Sequence, residues 1–347
     1  MGLYCCKTKM QEIHEYLGTT SNIINKSEDQ NKIIKAITII QRNFRKKKLK
    51  SIPKDLQEIT TEKIKIIDII NLMNSKTTNP LVIEIEKNKG DLKYIDYRSE
   101  ELGMEIRGPM PLENGGIYYG QWNRELNERE GFGILIWEDG SKYTGFWKND
   151  KANGFGRLIH SDGDVYEGMW ANDKAEGFGC FSDAHGTEYS GFWKEDIQNG
   201  KGYEKWPDKA SFEGDYVDGK KHGKGLFIWS DGSSYNGEFY QNDIQGYGIY
   251  KWADGRIYEG NWFQNKMHGQ GKFTWLDGRY YEGEYVNDKK HGNGTFAWSD
   301  GRKYKGGWKE GVQHGYGIYF SSNNEPRKGA LNEGKRVKWI EGTEINQ

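Results

Sequence analysis

A 23-residue repeat constrains the fold of this chain more than any other feature. The pattern aromatic-x-Gly-x-aromatic recurs in steps of 23 residues, except that the first step is 25. A second pattern, Gly-x-Gly, recurs in phase with it, so the two additional residues lie between Trp122 and Gly131. Units this short bury little surface alone, and the repeat therefore indicates a solenoid in which they stack. The first pattern starts at Tyr118, Tyr143, Tyr166, Tyr189, Phe212, Tyr235, Tyr258, Tyr281 and Tyr304.

Each unit is predicted to be a β-hairpin. In Tyr-x-Gly-x-Trp the aromatic residues and the glycine alternate with period two, so they share one face of a strand. Gly-x-Gly then leaves room on the returning strand for an aromatic ring from a neighbouring strand to lie against bare backbone. Between units, dipeptides such as Asp139-Gly140 and Asp254-Gly255 predict tight two-residue turns, because glycine accepts the positive φ that such turns need.

The tryptophans support the same register. Twelve of the thirteen fall on two positions of the repeat, one closing the first pattern and one six residues after the first Gly of Gly-x-Gly. Stacked aromatic side chains are expected to supply most of the burial in a sheet too thin for a conventional core. The expected aromatic ladder includes Trp147, Trp170, Trp193, Trp229, Trp252, Trp262, Trp275, Trp298 and Trp308.

Segments 166–170 (Tyr-Glu-Gly-Met-Trp) and 258–262 (Tyr-Glu-Gly-Asn-Trp) resemble the consensus of the MORN (membrane occupation and recognition nexus) repeat. A degenerate further unit follows in phase, with Arg327 where Tyr belongs, and is interpreted as a C-terminal cap. The resemblance implies a mainly β fold, an elongated antiparallel β-hairpin solenoid of nine to ten 23-residue repeats over residues 111–347. A short helical N-terminal region precedes it.

The chain ahead of the repeats is predicted to have three parts. Residues 1–26 form a tail, residues 27–75 a helical region and residues 76–110 a linker or edge segment. A capping box at Ser27 and apolar residues at helical spacing indicate the helix. Within the linker, the run 81–86 is predicted to be an edge strand.

The second half of that helix resembles an IQ motif. Ile40, Gln41 and Arg45 match the pattern, whereas Lys46 replaces the usual Gly and Lys50 the final Arg. A basic helix with an apolar stripe can be clasped by an acidic groove, and the resemblance implies calmodulin or a related EF-hand light chain. A helix that packs on its own neighbour is the alternative. The residues expected to bind calmodulin are Ile40, Gln41, Phe44, Arg45, Lys46 and Lys50.

The extreme N-terminus resembles a dual acylation signal. Gly2 would carry a myristoyl chain and Cys5 or Cys6 a palmitoyl chain, although the myristoylation pattern prefers Ser or Thr where Cys6 stands. Two lipid chains anchor a protein stably where one does not. An unmodified tail is the alternative.

Charge divides the chain unevenly. Residues 1–54 hold twelve Lys or Arg and four acidic residues, a formal charge of +8, whereas the whole chain carries -1 and the remainder therefore -9. The basic head is thus the expected contact for anionic partners such as a membrane. No stretch of eighteen apolar residues predicts a transmembrane helix.

No catalytic, cofactor or metal site is predicted. His222, His268, His291 and His314 recur at one position of the repeat, but neighbouring units would hold them about 10 Å apart, too far to share a metal ion. Carboxylates such as Glu167 and Glu259 belong to the repeat consensus itself. We therefore expect neither enzymatic activity nor a cofactor.

The sequence favours a non-enzymatic scaffold. It is expected to be cytoplasmic, peripheral to a membrane or associated with the cortical or ciliary cytoskeleton, with a calmodulin-like light chain on its head. Other expected partners are proteins docked on the array, a second copy in a homodimer and an anionic membrane at the N-terminus, but no nucleic acid. The alternative is a phospholipid-binding, membrane-targeting module, which the -9 charge of residues 55–347 disfavours.

Overall fold

The computed structural model describes residues 77–90, 92 and 104–340 of the 347-residue chain. Over these residues the chain is mainly β and antiparallel, which confirms the predicted fold class of β-hairpin repeats. The chain forms two compact units, an N-terminal unit that ends at Val165 and a C-terminal unit that begins at Tyr166. The predicted calmodulin-binding and lipidation residues lie outside the described residues.

The described residues contain one helix, α1 (Pro80–Lys89), and twenty-one strands. Consecutive strands from β1 to β5, and again from β7 to β21, pair antiparallel. The strands are β1 (Met104–Pro111), β2 (Ile117–Asn123), β3 (Glu128–Ile136), β4 (Lys142–Lys148), β5 (Lys151–Ile159), β6 (Val165–Ala171), β7 (Lys174–Ser182), β8 (Glu188–Lys194), β9 (Ile197–Lys205), β10 (Ser211–Val217), β11 (Lys220–Ile228), β12 (Ser234–Tyr240), β13 (Asp243–Lys251), β14 (Ile257–Phe263), β15 (Lys266–Thr274), β16 (Tyr280–Val286), β17 (Lys289–Ala297), β18 (Lys303–Lys309), β19 (Val312–Phe320), β20 (Pro326–Asn332) and β21 (Lys335–Trp339).

The lengths of the segments account for the period. In a typical repeat a 7-residue strand such as β4 and a 9-residue strand such as β5 are joined by two residues, and five more lead to the next repeat. In the first repeat four residues, 124–127, join β2 to β3 instead of two. This longer turn explains the first step of 25 residues and places the insertion between Trp122 and Gly131, as predicted.

The two-residue turns do not lie at the Asp-Gly dipeptides, so that part of the prediction is wrong. After the first repeat they lie within the hairpins, as at Asn149-Asp150, where φ is 50° and 62°, the positive values that a type I′ turn requires at both central residues. Asp139-Gly140 instead lies in a five-residue link in which only Gly140 has a positive φ, of 87°. There the Gly140 N–H donates to the Trp137 carbonyl, and the Trp137 N–H donates to the Ser141 carbonyl.

A pair of glycines facing each other across two strands holds each tyrosine ring. Gly260 in β14 pairs with Gly271 in β15, and a Cβ on Gly271 would stand 2.3 Å from the Tyr258 hydroxyl oxygen. Only bare backbone leaves room for the ring there, as the Gly-x-Gly pattern predicts. The first glycine of that pattern, Gly269, has a φ of +71° and lies where the strand register shifts, so it forms a β-bulge.

The turns also bond each hairpin to its neighbour. The Asn265 side chain accepts a hydrogen bond of 2.7 Å from the Ile244 N–H, and the Asn265 backbone N–H donates to the Ile244 carbonyl. The same side-chain contact recurs between Asp288 and the Met267 N–H at 2.8 Å. Adjacent repeats are thus connected at their turns as well as through strand pairing.

Helix α1 replaces the edge strand predicted at 81–86. Its N-cap, Asn79, accepts hydrogen bonds from the N–H groups of the first turn, and Pro80 occupies the first helical position. Val82 and Ile85, three residues apart, pack with Ile159 and Val165. The alternating apolar residues suit a strand, but the capping residues and the packing of one face favour a helix.

Charged side chains fix α1 on the N-terminal unit. The Lys142 ammonium lies 2.7 Å from the Glu86 carboxylate, and its side chain is only 1% exposed. Burial lowers the pKa of Lys142, and Glu86 opposes that shift. Arg157 in β5 donates to the Gly90 carbonyl at the end of the helix. The helix therefore covers this part of the sheet.

Candidate docking face of the C-terminal unit

Two buried aromatic rows form the core of the repeats and leave little surface for a partner. The Tyr row is fully buried, and each hydroxyl donates to the carbonyl three residues on, as Tyr258 does to Asn261 at 2.9 Å. The residue closing each pattern packs edge-on against it, as Trp262 does at a ring distance of 5.0 Å. Phe212 stands in the Tyr row without a hydroxyl. These rows are structural.

A third row of aromatic rings lies on the same face and remains open. Tyr250, for example, pairs across the strands with Tyr235 of the buried row but is only half-buried. Successive rings are in contact, with centroids between 4.4 and 5.6 Å apart. Phe273 and Phe296 in this row are buried, whereas its other members are partly exposed. We call this set the open aromatic row: Trp206, Phe227, Trp229, Tyr250, Trp252, Phe273, Trp275, Phe296 and Trp298.

One position of the repeat places cations over the aromatic face. In sequence order it holds Arg129, Ala152, Ala175, Gln198, Lys221, Ile244, Met267, Lys290 and Gln313. Arg129 of the N-terminal unit lies 4.3 Å from the Trp147 ring centroid and 3.0 Å from the Asp150 carboxylate. We call this position the cation column. Its lysines, Lys221 and Lys290, are separated by three repeats and belong to the C-terminal unit.

Lys221 is neutralised within the chain. Its ammonium lies 3.3 Å from the Glu204 carboxylate, and both side chains are 16% exposed. The Tyr216 hydroxyl donates to the same carboxylate at 2.8 Å. A cavity of about 400 Å³ opens beside this cluster, lined also by Trp229 and Phe239.

Lys290 has the same aromatic surroundings without the carboxylate. Its ammonium lies 4.7 to 5.4 Å from the centroids of Trp275, Tyr281, Phe296 and Trp308. Among the residues that the structure describes, no acidic side chain forms an ion pair with it. Burial, assisted by the nearby charge of Arg279, lowers the pKa of Lys290 to about 8.

Arginines flank the open row on the links between repeats. Arg256, Arg279 and Arg302 lie 5.3 to 5.6 Å from the centroids of Trp252, Trp275 and Trp298 respectively. Each also pairs with the aspartate two residues before it, at 2.7 to 2.8 Å. These cations cover the outer side of the indoles and are held in place by short ion pairs.

The predicted ladder residues divide between the buried and the open rows. Trp147, Trp170, Trp262 and Trp308 are buried, and Trp193 is half-buried against Tyr189. The others lie in the open aromatic row, where they remain partly accessible: Trp229, Trp252, Trp275 and Trp298. The two repeat positions therefore differ in what they can contact.

The sequence interpretation missed Lys221, Lys290 and Glu204. Each differs from the residues at the same position in other repeats. The two lysines stand where most units carry apolar or amide residues, and Glu204 stands where later units carry Phe227 and Tyr250. A repeat is recognised by the residues that its units share, and these three residues are not shared.

The arrangement offers several kinds of contact to a binding partner. Over the described ranges, no group of His, Cys, Asp and Glu side chains could hold a metal ion. Within those ranges, too, no helix has the length and apolar content needed to span a bilayer. Stacked rings and flanking cations offer apolar contact, cation–π attraction and ion pairing to a docked segment.

The family model of the MORN repeat matches most of this region. The match covers nine segments, which together make up more than half of the chain. The segments are 118–142, 143–165, 166–187, 189–211, 212–234, 235–255, 258–278, 281–301 and 304–325. No curated protein sequence matches the chain.

Solved structures give only distant likenesses. The TCP10 domain of Danio rerio CPAP, in complex with a peptide of Danio rerio STIL, is 11% identical at a TM-score of 0.33, over 61% of this chain and 96% of that one. The TCP domain of Drosophila melanogaster SAS-4, in complex with a proline-rich motif of Ana2, is 12% identical at a TM-score of 0.29, over 56% and 99%. These TM-scores are too low to carry an argument about this chain.

Proposed function

The chain belongs to the MORN repeat family, a family of structural repeats, and from this premise we propose that it is a non-enzymatic scaffold that docks a partner protein. The open aromatic row of the C-terminal unit carries the proposal. It runs through consecutive repeats and keeps aromatic surface accessible, whereas α1 covers part of the N-terminal unit. Contiguous apolar surface of this kind marks interaction sites in proteins.

The row suits a linear segment that crosses the strands. Two strands per repeat at about 4.8 Å each separate equivalent rings by roughly 10 Å. About seven residues of an α-helix span the same distance. Equivalent side chains of a docked helix would therefore meet equivalent rings in successive repeats, and aromatic residues contribute strongly to such interfaces.

Selection of binding peptides by the full chain tests this proposal. A random-peptide phage library would be selected against the purified protein, and recovered peptides measured on a Trp252→Ser, Trp275→Ser variant. The chain itself carries serine at this repeat position, Ser321, so the change suits the fold. Tyr247→Ala, which removes an exposed aromatic residue outside the open row, is the control.

We expect the double variant to lose the selected peptides and Tyr247→Ala to retain them. Recovery of no binding peptide, or equal binding by both variants, would contradict docking on the open row. Circular dichroism of each variant would establish that the fold is retained.

The light chain is a separate proposal that rests on the sequence. We propose that residues 40–50 bind calmodulin or a related EF-hand protein, because Ile40, Gln41 and Arg45 match the IQ pattern. Binding of purified calmodulin to the full chain and to an Ile40→Ala, Gln41→Ala, Arg45→Ala variant, with and without calcium, tests it. Equal binding by the two proteins would remove this role from the head.

Membrane attachment is likewise proposed from the N-terminal sequence. Acyl chains on Gly2 and Cys5 or Cys6, beside the basic head, would place the scaffold at a membrane or the cortical or ciliary cytoskeleton. Metabolic labelling with fatty-acid analogues, compared between the wild-type chain and Gly2→Ala, tests the myristoyl chain. Binding to anionic vesicles that survives deletion of residues 1–54 would instead favour a lipid-binding array.

A further inference from the structure

The two lysines of the cation column in the C-terminal unit occupy matching sites, three repeats apart. Lys221 lies near Trp206, Phe212 and Phe227, and Lys290 lies near the equivalent Trp275, Tyr281 and Phe296. Each lysine also pairs across the strands with a tyrosine, Tyr216 for Lys221 and Tyr285 for Lys290. The molecule therefore contains two versions of one site.

Only the first version contains its own anion. Glu204 accepts from the Tyr216 hydroxyl and lies beside Lys221, so both polar groups are satisfied. Phe273 stands at the equivalent position near Lys290. Within the described part of the chain, none of the side-chain hydrogen bonds involves the Tyr285 hydroxyl, and the residue is 3% exposed.

Other charges increase the difference between the sites. Arg279 lies on the link beside Lys290, whereas Ala210 occupies the equivalent position beside the Lys221 site. Arg279 is paired with Asp277. The second site therefore presents an uncompensated positive charge on the open aromatic row, where a buried charge is stabilised by a partner of opposite sign.

We propose that Lys290 and Tyr285 receive a carboxylate from an acidic side chain of the docked segment. The contact reproduces with a partner what Glu204 does for Lys221 and Tyr216 within the chain. It enters from the open side of the row, because Phe273 fills the place of Glu204. The proposal rests on the proposed docking function and adds that the partner segment carries an acidic residue among its apolar contacts.

The same peptide selection tests this inference when sequence preference is read out. Peptides recovered by the full chain should be enriched in Asp or Glu beside apolar residues, and a Glu→Gln change in a recovered peptide should weaken binding by about tenfold or more. Lys290→Gln, which copies Gln313 of the same column, should weaken the acidic peptide equally but leave its amide version unchanged. Lys290→Arg should retain binding.

A further variant places a carboxylate of the chain itself beside Lys290, at the position equivalent to Glu204. Phe273→Glu copies Glu204 and should weaken the binding of acidic peptides about tenfold more than Phe273→Gln does. Both variants lose the Phe273 ring, so the difference between them reports the added carboxylate. Lys272→Gln removes an exposed lysine and serves as the control for nonspecific charge. Circular dichroism would establish that each variant is folded.

The outcomes separate the two proposals. Failure to recover any peptide overturns docking itself. Peptides that depend on Trp252 and Trp275 but show no acidic preference, or are indifferent to Lys290→Gln, leave docking intact and overturn the carboxylate site. Lys290-dependent sedimentation with phosphatidylserine vesicles, in the absence of acidic peptides, would also overturn it in favour of a phospholipid.

Discussion

The Lys221 ammonium lies 3.3 Å from the Glu204 carboxylate, with both side chains only 16% exposed. At the equivalent site three repeats later, Lys290 retains the aromatic neighbours but has no such carboxylate among the described residues. One substitution is therefore expected to have different consequences at the two positions. Met267 shows that the cation column accepts methionine.

Lys221→Met is expected to lower the free energy of unfolding by about 2 kcal/mol, because it leaves the Glu204 charge largely buried without its cation. Lys290→Met removes an uncompensated cation and is expected to be neutral or to stabilise by up to about 1 kcal/mol, allowing for partial exposure. Urea unfolding midpoints followed by circular dichroism would compare them. Equal loss of stability in both variants would contradict the different charge compensation.

The pKa of Lys290 predicts a pH dependence. It is about 8 in the folded chain against an ordinary 10.5, so the unfolded chain binds the additional proton between these values. The contribution of Lys290 to the free energy of unfolding therefore rises with pH across this window. The facing groups are Arg279, Tyr281 and Tyr285, and burial raises the pKa of both tyrosines, so they stay protonated.

The advantage of Lys290→Met over the wild-type chain should accordingly shrink between about pH 8 and pH 10.5. Urea unfolding midpoints of the two proteins at several pH values would measure it, with Lys303→Met as an exposed control. A stability difference that is constant with pH would mean that the lysine titrates at its ordinary value.

The buried tyrosine hydroxyls predict opposite effects for a pair of reciprocal changes. Tyr258→Phe removes the donor to the Asn261 carbonyl and should destabilise by about 1 kcal/mol. Phe212→Tyr supplies a hydroxyl where the row lacks one and should stabilise by about 0.5 kcal/mol through the Asp215 carbonyl. Thermal unfolding would compare both with the wild-type chain, and destabilisation by Phe212→Tyr would show that this site cannot hold a hydroxyl.

Two glycine substitutions separate crowding from backbone strain. A Cβ on Gly271 would stand 2.3 Å from the Tyr258 hydroxyl oxygen, so Gly271→Ala should destabilise by about 3 kcal/mol or more. Gly278 has a φ of +85° with no atom within 4 Å of a Cβ, so Gly278→Ala should cost only about 1 kcal/mol. Urea unfolding tests the order, and the reverse order would contradict the packing of Tyr258 on the glycine pair.

Much of the fold could be predicted because the period and the alternation of aromatic residues with glycine reflect strand geometry directly. The turns could not be assigned so simply. Asn149 and Asp150 both adopt positive φ without a glycine, because short polar side chains tolerate that conformation. In the longer link between repeats, Gly140 is the one residue with a positive φ. Helix α1 was missed because alternating apolar residues outweighed its capping signals.

The candidate site was less predictable for a different reason. A repeat is recognised by what its units share, and this led to the tryptophans of both rows. Lys290 lacks an internal carboxylate because Phe273 stands where Glu204 stands beside Lys221. The strand pairing is needed to recognise this equivalence, because the repeat consensus alone does not show it. The register of the strands is the same at both sites, and it shows that Glu204 at one corresponds to Phe273 at the other.

Every complete repeat after the first is built from segments of the same lengths, a 7-residue strand, a two-residue turn, a 9-residue strand and a five-residue link. Gain or loss of one whole repeat between Lys221 and Lys290 would therefore leave every remaining strand in register. Such an event would alter the distance between the two lysines while preserving the neighbours of each. In this architecture the distance between two binding sites can therefore evolve without any change in the residues that form each site.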